Sequence, residues 1–121
     1  VLVVDGANVV GSRPDGWWRD RPGAAKRLHD RIVAADLGYD VVVIVLEGDG
    51  RRGQPVGDAG LVQTVHAPAD GDEEIVNQVR TWVAEGDDVV AVTADRGLQE
   101  RILEAGGDFL GPSWLLDQLP G

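Results

Sequence analysis

Two kinds of apolar pattern alternate along this chain. Residues 1–4 form a continuous, β-branched-rich run that ends in Asp5-Gly6, and residues 41–46 repeat the design before Glu47-Gly48. Residues 89–92 make a third copy ahead of Thr93-Ala94-Asp95, and residues 61–65 and Phe109-Leu110 are shorter candidates. Runs of this length with no polar alternation predict strands buried on both faces. Between them the period lengthens. Ala25, Leu28, Ile32 and Ala35 recur at helical spacing, as do Ile75, Val79 and Trp82 or Val83, and then Leu98, Ile102 and Ala105 ahead of a Gly106-Gly107 stop. A last short helix is predicted from Pro112, carrying Trp114, Leu115 and Leu119. Residues 48–60 are rich in Gly and Arg without periodicity and read as a mobile loop.

The predicted order is strand, helix, strand, strand, helix, strand, helix, strand, helix. Alternation of this kind predicts an α/β fold, a three-layer α/β/α arrangement around a mainly parallel sheet. With 121 residues, one domain covering residues 1–121 is expected. No stretch approaches the roughly 20 consecutive apolar residues of a membrane-spanning helix. The chain has no cysteine, which excludes disulfides and thiolate metal sites. No basic-then-apolar leader opens it, so a cytoplasmic location is expected.

The net charge of −10 speaks against a general nucleic-acid coat. Its distribution changes that picture. Residues 13–31 hold six cations (Arg13, Arg19, Arg21, Lys26, Arg27, Arg31) against three acids (Asp15, Asp20, Asp30), one basic patch on an acidic body. A solvated helix face explains such a patch as well as a phosphate track does. Trp17 and Trp18 lie in it, either as a stacking platform for unpaired bases or packed over the first helix. Arg51 and Arg52 read as loop cations, His29 and His66 as structural, and Trp82 and Trp114 as core.

Ligands of open parallel sheets bind beyond the carboxyl ends of the strands, and this chain repeatedly places acids there. Asp5, Glu47 and Asp95 each follow a strand, and Asp72, Glu73 and Glu74 open a predicted helix. Individually each has an ordinary role as a helix cap or a partner of a helix dipole. Collected on one rim they would repel one another, and a hard divalent cation, Mg²⁺ or Mn²⁺, is the usual neutraliser of an oxygen-only set. Asp5-Gly6-Ala7-Asn8 is a tight turn in the bland reading; in the functional one Asp5 binds metal and Asn8 holds Asp5 or substrate. Arg96 or Thr93 could contact phosphate.

Asp5-Gly6-Ala7-Asn8, Gly71-Asp72-Glu73-Glu74-Ile75 and Thr93-Ala94-Asp95-Arg96-Gly97-Leu98 together resemble the three acidic motifs of the PIN-like superfamily, specifically NYN-domain proteins near the YacP-like group. The resemblance spans nearly the whole chain. It implies a five-stranded parallel sheet in the order 3-2-1-4-5 and a Mg²⁺- or Mn²⁺-dependent ribonuclease acting on single-stranded RNA through metal-activated water. It also implies Asp5, Asp72 and Asp95 as ligands, with Glu47 and Glu73 as further candidates, and Asn8 and Thr93 as polar partners in catalysis. Asp70, Glu73 or Glu74 could stand in for Asp72. Arg13, Arg19, Lys26, Arg96 and Trp17 are the candidate RNA contacts. The segments Gly16-Trp17-Trp18-Arg19 and Gly111-Pro112-Ser113-Trp114-Leu115-Leu116-Asp117 resemble actinobacterial proteins labelled NTP pyrophosphohydrolase, which is one alternative activity. A non-catalytic RNA- or protein-binding module on the same fold is another.

Overall fold

A computed structural model describes residues 1–120. The apolar runs become β1 (Leu2–Asp5), β2 (Val42–Leu46), β4 (Val62–His66), β5 (Val90–Val92) and β6 (Asp108–Leu110), with β3 (Gly57–Ala59) ahead of β4. The helices are α1 (Gly6–Gly11), α2 (Arg21–Ala34), α3 (Gly71–Ala84), α4 (Arg96–Glu104) and α5 (Pro112–Gln118).

The sheet has six strands in the order β3-β4-β2-β1-β5-β6. This corrects the expected five strands in the order 3-2-1-4-5. The difference is β3, which pairs antiparallel with β4 through Gly57↔Thr64, Asp58↔Gln63 and Ala59↔Val62, while every other pair is parallel. β3 lacks an apolar face because it is an exposed edge strand, so hydrophobic patterning could not announce it. The expected mobile loop is likewise corrected. Residues 48–60 hold a 3₁₀ turn (Gly48–Gly53), then β3. That turn lies so close to α2 that a side chain at Gly53 would collide with the backbone oxygen of Pro22.

Side-chain alternation along the central strands builds a core on each face of the sheet. Leu2, Val4, Ile44 and Leu46 pack with Val9 of α1, Leu28 and Ile32 of α2 and Leu115 of α5. On the other face Val3, Val43, Val45 and Ala91 meet Ile75 and Val79 of α3 and Leu98 and Ile102 of α4. Each fully buried Leu or Ile contributes on the order of 1.5–3 kcal/mol relative to exposure. Trp82 and Trp114 are half-buried against these two cores, Trp114 edge-on to Tyr39. His29 is buried beside Asp30, and the His66 ring meets the Gln54 carbonyl oxygen at 2.7 Å. Among the described residues no helix is long and apolar enough to cross a membrane.

Since β1 lies between β2 and β5, the chain segments that follow these three strands emerge side by side. Residues 3 and 5 point to the same face of β1, so Asp5 continues the α3/α4 side of the sheet.

Candidate active site

Asp5 ends β1 and caps α1, its Oδ1 accepting the Asn8 N–H at 3.3 Å. The turn from strand to helix is tight because residue 6 is glycine. A Cβ there would sit 2.7 Å from the Val45 carbonyl oxygen and 2.9 Å from Leu46 Cδ2. The motif's second residue is thus fixed by the closeness of α1 to β2.

The end of β5 is bonded to the end of β1. Fully buried Thr93 donates its hydroxyl to Asp5 Oδ2 at 3.0 Å and accepts the Asp95 N–H at 3.2 Å. Asn8 Oδ1 accepts the Ala94 N–H at 2.8 Å, a bond that spans the same gap. The bland reading of Asn8, bonding within its own turn, gives way to a bridge between two motifs 86 residues apart. Gln99 Nε2 donates to the Thr93 carbonyl at 2.8 Å and Asp95 Oδ1 accepts the Leu98 N–H at 2.9 Å, which fixes the start of α4. Capping and ligation are not exclusive for Asp95, because an ionised carboxylate has about four lone-pair sites.

The α3 side approaches the seam by charge. Asp5 is only 6% exposed. Its carboxyl is raised from 3.8 to about 6, chiefly by burial and further by the Asp72 and Glu47 charges, against the lowering pull of the Asn8 N–H and the Thr93 hydroxyl. Asp72 is also raised, first by desolvation and then by Asp95, Asp70 and Glu47, with Arg101 acting the other way. Asp5 and Asp95 therefore both lie in the field of Asp72. Glu47 is anchored by accepting the Gly71 N–H at the start of α3, and Asp70 caps that helix through the Glu73 N–H at 3.1 Å. Glu73 turns to Arg101, at 2.7 Å.

As these side chains stand, no three His, Asp or Glu residues among those described meet closely enough to enclose one ion. The donor set nevertheless suits a hard cation. It consists of carboxylate oxygens whose mutual repulsion and burial raise two of their own pKa values, and a divalent ion relieves that cost directly. Asp5 and Asp95 each cap a helix as they stand, and Asp72 acts on both through its charge.

The candidate RNA contacts are spread more widely. Arg13 lines a groove of about 250 Å³ with Arg27 and Arg31. Arg19 lies over the Trp18 ring at 5.9 Å, Lys26 pairs with Asp30 at 2.9 Å, and Arg96 is exposed at the start of α4. Arg51 is tied to its own turn through the Gly48 carbonyl at 3.1 Å. Trp18 is 49% exposed, whereas Trp17 is partly buried near Gly11 and forms one wall of a cleft of about 490 Å³. The cleft opens beside Gly6 and Glu47, and Arg21, Asp49 and Asp70 also line it. Sequence reasoning missed this cleft. Its one legible sign was Arg21, four residues after Trp17, whose guanidinium lies 5.0 Å from the Trp17 ring centre.

No family model matches the chain, and no curated protein does. Among solved structures it is similar to Rae1 (YacP) from Bacillus subtilis. A mutant form of that protein superposes with a TM-score of 0.74 at 20% identity, covering 96% of this chain and 72% of that one. A second Rae1 (YacP) structure gives 0.69 at 17% identity, with 97% and 71% covered. At this identity the likeness establishes a common fold. It agrees with the YacP-like resemblance of the three motifs and lends nothing to the pyrophosphohydrolase label.

Proposed function

We propose that this chain is a single PIN-like (NYN) domain that hydrolyses phosphodiester bonds of single-stranded RNA with the help of Mg²⁺ or Mn²⁺. The observation that carries the reading is the seam at the ends of β1 and β5. There a buried carboxylate, Asp5, is held by Thr93 and by the Asn8–Ala94 bridge inside the field of Asp72 and Glu47. A structural role alone gives no reason to bury a carboxylate among like charges, since a neutral side chain would cap α1 at lower cost.

Asp5, Asp72 and Asp95 would hold the ion, whose chemistry is to lower the pKa of bound water and to offset charge developing on the phosphate. Thr93 fixes one oxygen of Asp5, leaving the carboxylate a defined orientation. Asn8 locks the β1 turn to the β5 turn, so Asp5 and Asp95 keep their spacing when substrate arrives. Gln99 restrains the same turn from behind. Arg13, Arg19, Lys26, Arg96 and Trp17 contribute strand binding around this centre.

The test is incubation of the purified protein with labelled single-stranded RNA, duplex DNA and NTPs, each with Mn²⁺, Mg²⁺ or EDTA, beside Asp5→Asn. Metal-dependent RNA cleavage that disappears in the variant is expected. Equal cleavage by the variant would defeat the reading. The cleft beside Glu47 is large enough for a nucleoside, which supports a second reading, NTP pyrophosphohydrolysis at the same carboxylates with the phosphates outside the cleft; release of pyrophosphate with RNA left intact would promote it.

A further inference from the structure

The cleft walled by Trp17 joins the carboxylate cluster without being part of it. Gly6 and Ala7, directly after Asp5, form one side, and Glu47, whose charge acts on both Asp5 and Asp72, stands at the boundary. Its floor is apolar, with Val10, Ala25 and Leu46. At about 490 Å³ it falls within the roughly 300–1,000 Å³ range of clefts that take a small organic ligand.

Three carboxylates, Glu47, Asp49 and Asp70, line this cleft against one guanidinium, Arg21. A phosphate would be repelled there. The occupant that suits an apolar floor, a flat aromatic wall and a rim of acceptors is a planar, uncharged ring that carries N–H donors. Arg21 and Trp17 stack 5.0 Å apart and form a platform of the kind on which bases lie. Of the acids, Asp49 is the least committed, with Arg52 at 3.5 Å and 64% of its side chain exposed. Asp70 and Glu47 each already accept one backbone N–H of α3 and keep their remaining lone pairs.

We infer that this cleft is a nucleobase pocket that reads one base of the RNA strand through its donor edge and prefers guanine. Guanine presents adjacent N1–H and N2–H donors, which one carboxylate can accept together. Adenine and cytosine present one amino group, and uracil presents a single N–H between two carbonyls that face the acids unfavourably. The inference rests on the nuclease reading for its substrate, and it adds a sequence preference set by Trp17, Arg21 and Asp49. The basic groove of Arg13, Arg27 and Arg31 adjoins the same α1, with Val10 lining both, so the next phosphates have a cationic surface to follow.

Two measurements keep the pocket and the chemistry apart. The first is binding of guanosine, adenosine, cytidine and uridine in EDTA, followed by tryptophan fluorescence and confirmed by calorimetry. Guanosine is expected to bind at least about tenfold tighter than uridine. That margin should vanish in Trp17→Ala and shrink in Asp49→Asn, an exposed substitution that leaves packing alone. The second is Mn²⁺-dependent cleavage of oligouridine carrying a single G, A, C or U. Faster cleavage at one bond near the G, lost in Trp17→Ala, is expected. Guanosine binding without any RNA cleavage would leave the pocket standing and remove the nuclease reading. Cleavage with all four nucleosides bound alike, or a guanosine preference unchanged in both variants, would overturn the pocket.

Discussion

The seam between β1 and β5 and the basic surface around α2 both enter the proposed function, yet they are built in opposite ways. At the seam Asp5 and Thr93 are buried and connected by side-chain bonds between distant chain segments. Around α2 most cations are exposed and several engage near neighbours, Lys26 with Asp30 and Arg19 with Trp18, while Arg31 reaches the Pro120 carbonyl. The contrast is between a preorganised centre, where small displacements are expensive, and a diffuse surface that adapts to a flexible strand. Substitutions at the seam should therefore change the chemistry, and substitutions of exposed cations such as Lys26 should change affinity by small, salt-dependent steps.

The largest effect is expected from Asp5→Asn. Metal activation supplies several kcal/mol and each ~1.4 kcal/mol is tenfold, so turnover with Mn²⁺ should fall by at least roughly 100-fold. The same variant should be no less stable than wild type near neutral pH in EDTA, because it removes a buried, repelled charge. Thermal unfolding beside a cleavage assay checks both halves. Marked destabilisation would mean that Asp5 is structural.

The pH dependence isolates the same charge. A folded-state pKa of about 6 against 3.8 means that the folded protein holds the proton more tightly, so the stabilising contribution of protonated Asp5 is complete below about 3.8 and is lost as pH rises through 6. In EDTA this amounts to on the order of 2–3 kcal/mol between acid and neutral pH. Asp30, whose carboxyl is lowered by His29 and Lys26, works in the opposite direction. The Asp5 part is therefore read as wild type minus Asp5→Asn in denaturant titrations across that range. Mn²⁺ should restore the lost stability in wild type only.

Thr93→Val preserves shape and deletes the hydroxyl that serves Asp5 and Asp95. A cost of about 1–3 kcal/mol in chemical denaturation is expected, together with an upward move of the acid limb of the pH–rate profile, since the Thr93 bond lowers the Asp5 pKa. At the small end stands Lys26→Ala. Its stability should change by less than about 0.5 kcal/mol, and its KM for RNA should rise severalfold at low salt and converge on wild type as salt increases. A large, salt-independent loss in that variant would erase the contrast between the two regions.

How far the sequence alone reaches differs between these regions too. The β-branched runs located the parallel strands because strands covered on both faces need apolar residues at every position. Asp5 and Thr93 stand out because each directly follows such a run, and Asp95 because it comes two residues after Thr93. Asp5 and Asp95 both cap a helix, and a carboxylate that accepts one backbone N–H keeps lone pairs for a further partner. β3 and the turn Gly48–Gly53 were not legible, because their order comes from pairing with β4 and contact with α2 instead of from any period of their own. The cleft was hidden for a similar reason. Trp17, Glu47 and Asp70 meet there through the tertiary fold, and although Trp17 and Glu47 stand out in the sequence one by one, nothing in it joins them.

The claim on which the rest depends is that acids from separate motifs serve one divalent ion. Crystals soaked in MnCl₂ and measured at the manganese absorption edge test it directly. The account predicts an anomalous peak at the carboxyl rim, coordinated by Asp5 together with Asp95 or Asp72. A rim without manganese at saturating concentration, or a peak held only by residues away from Asp5, would contradict it.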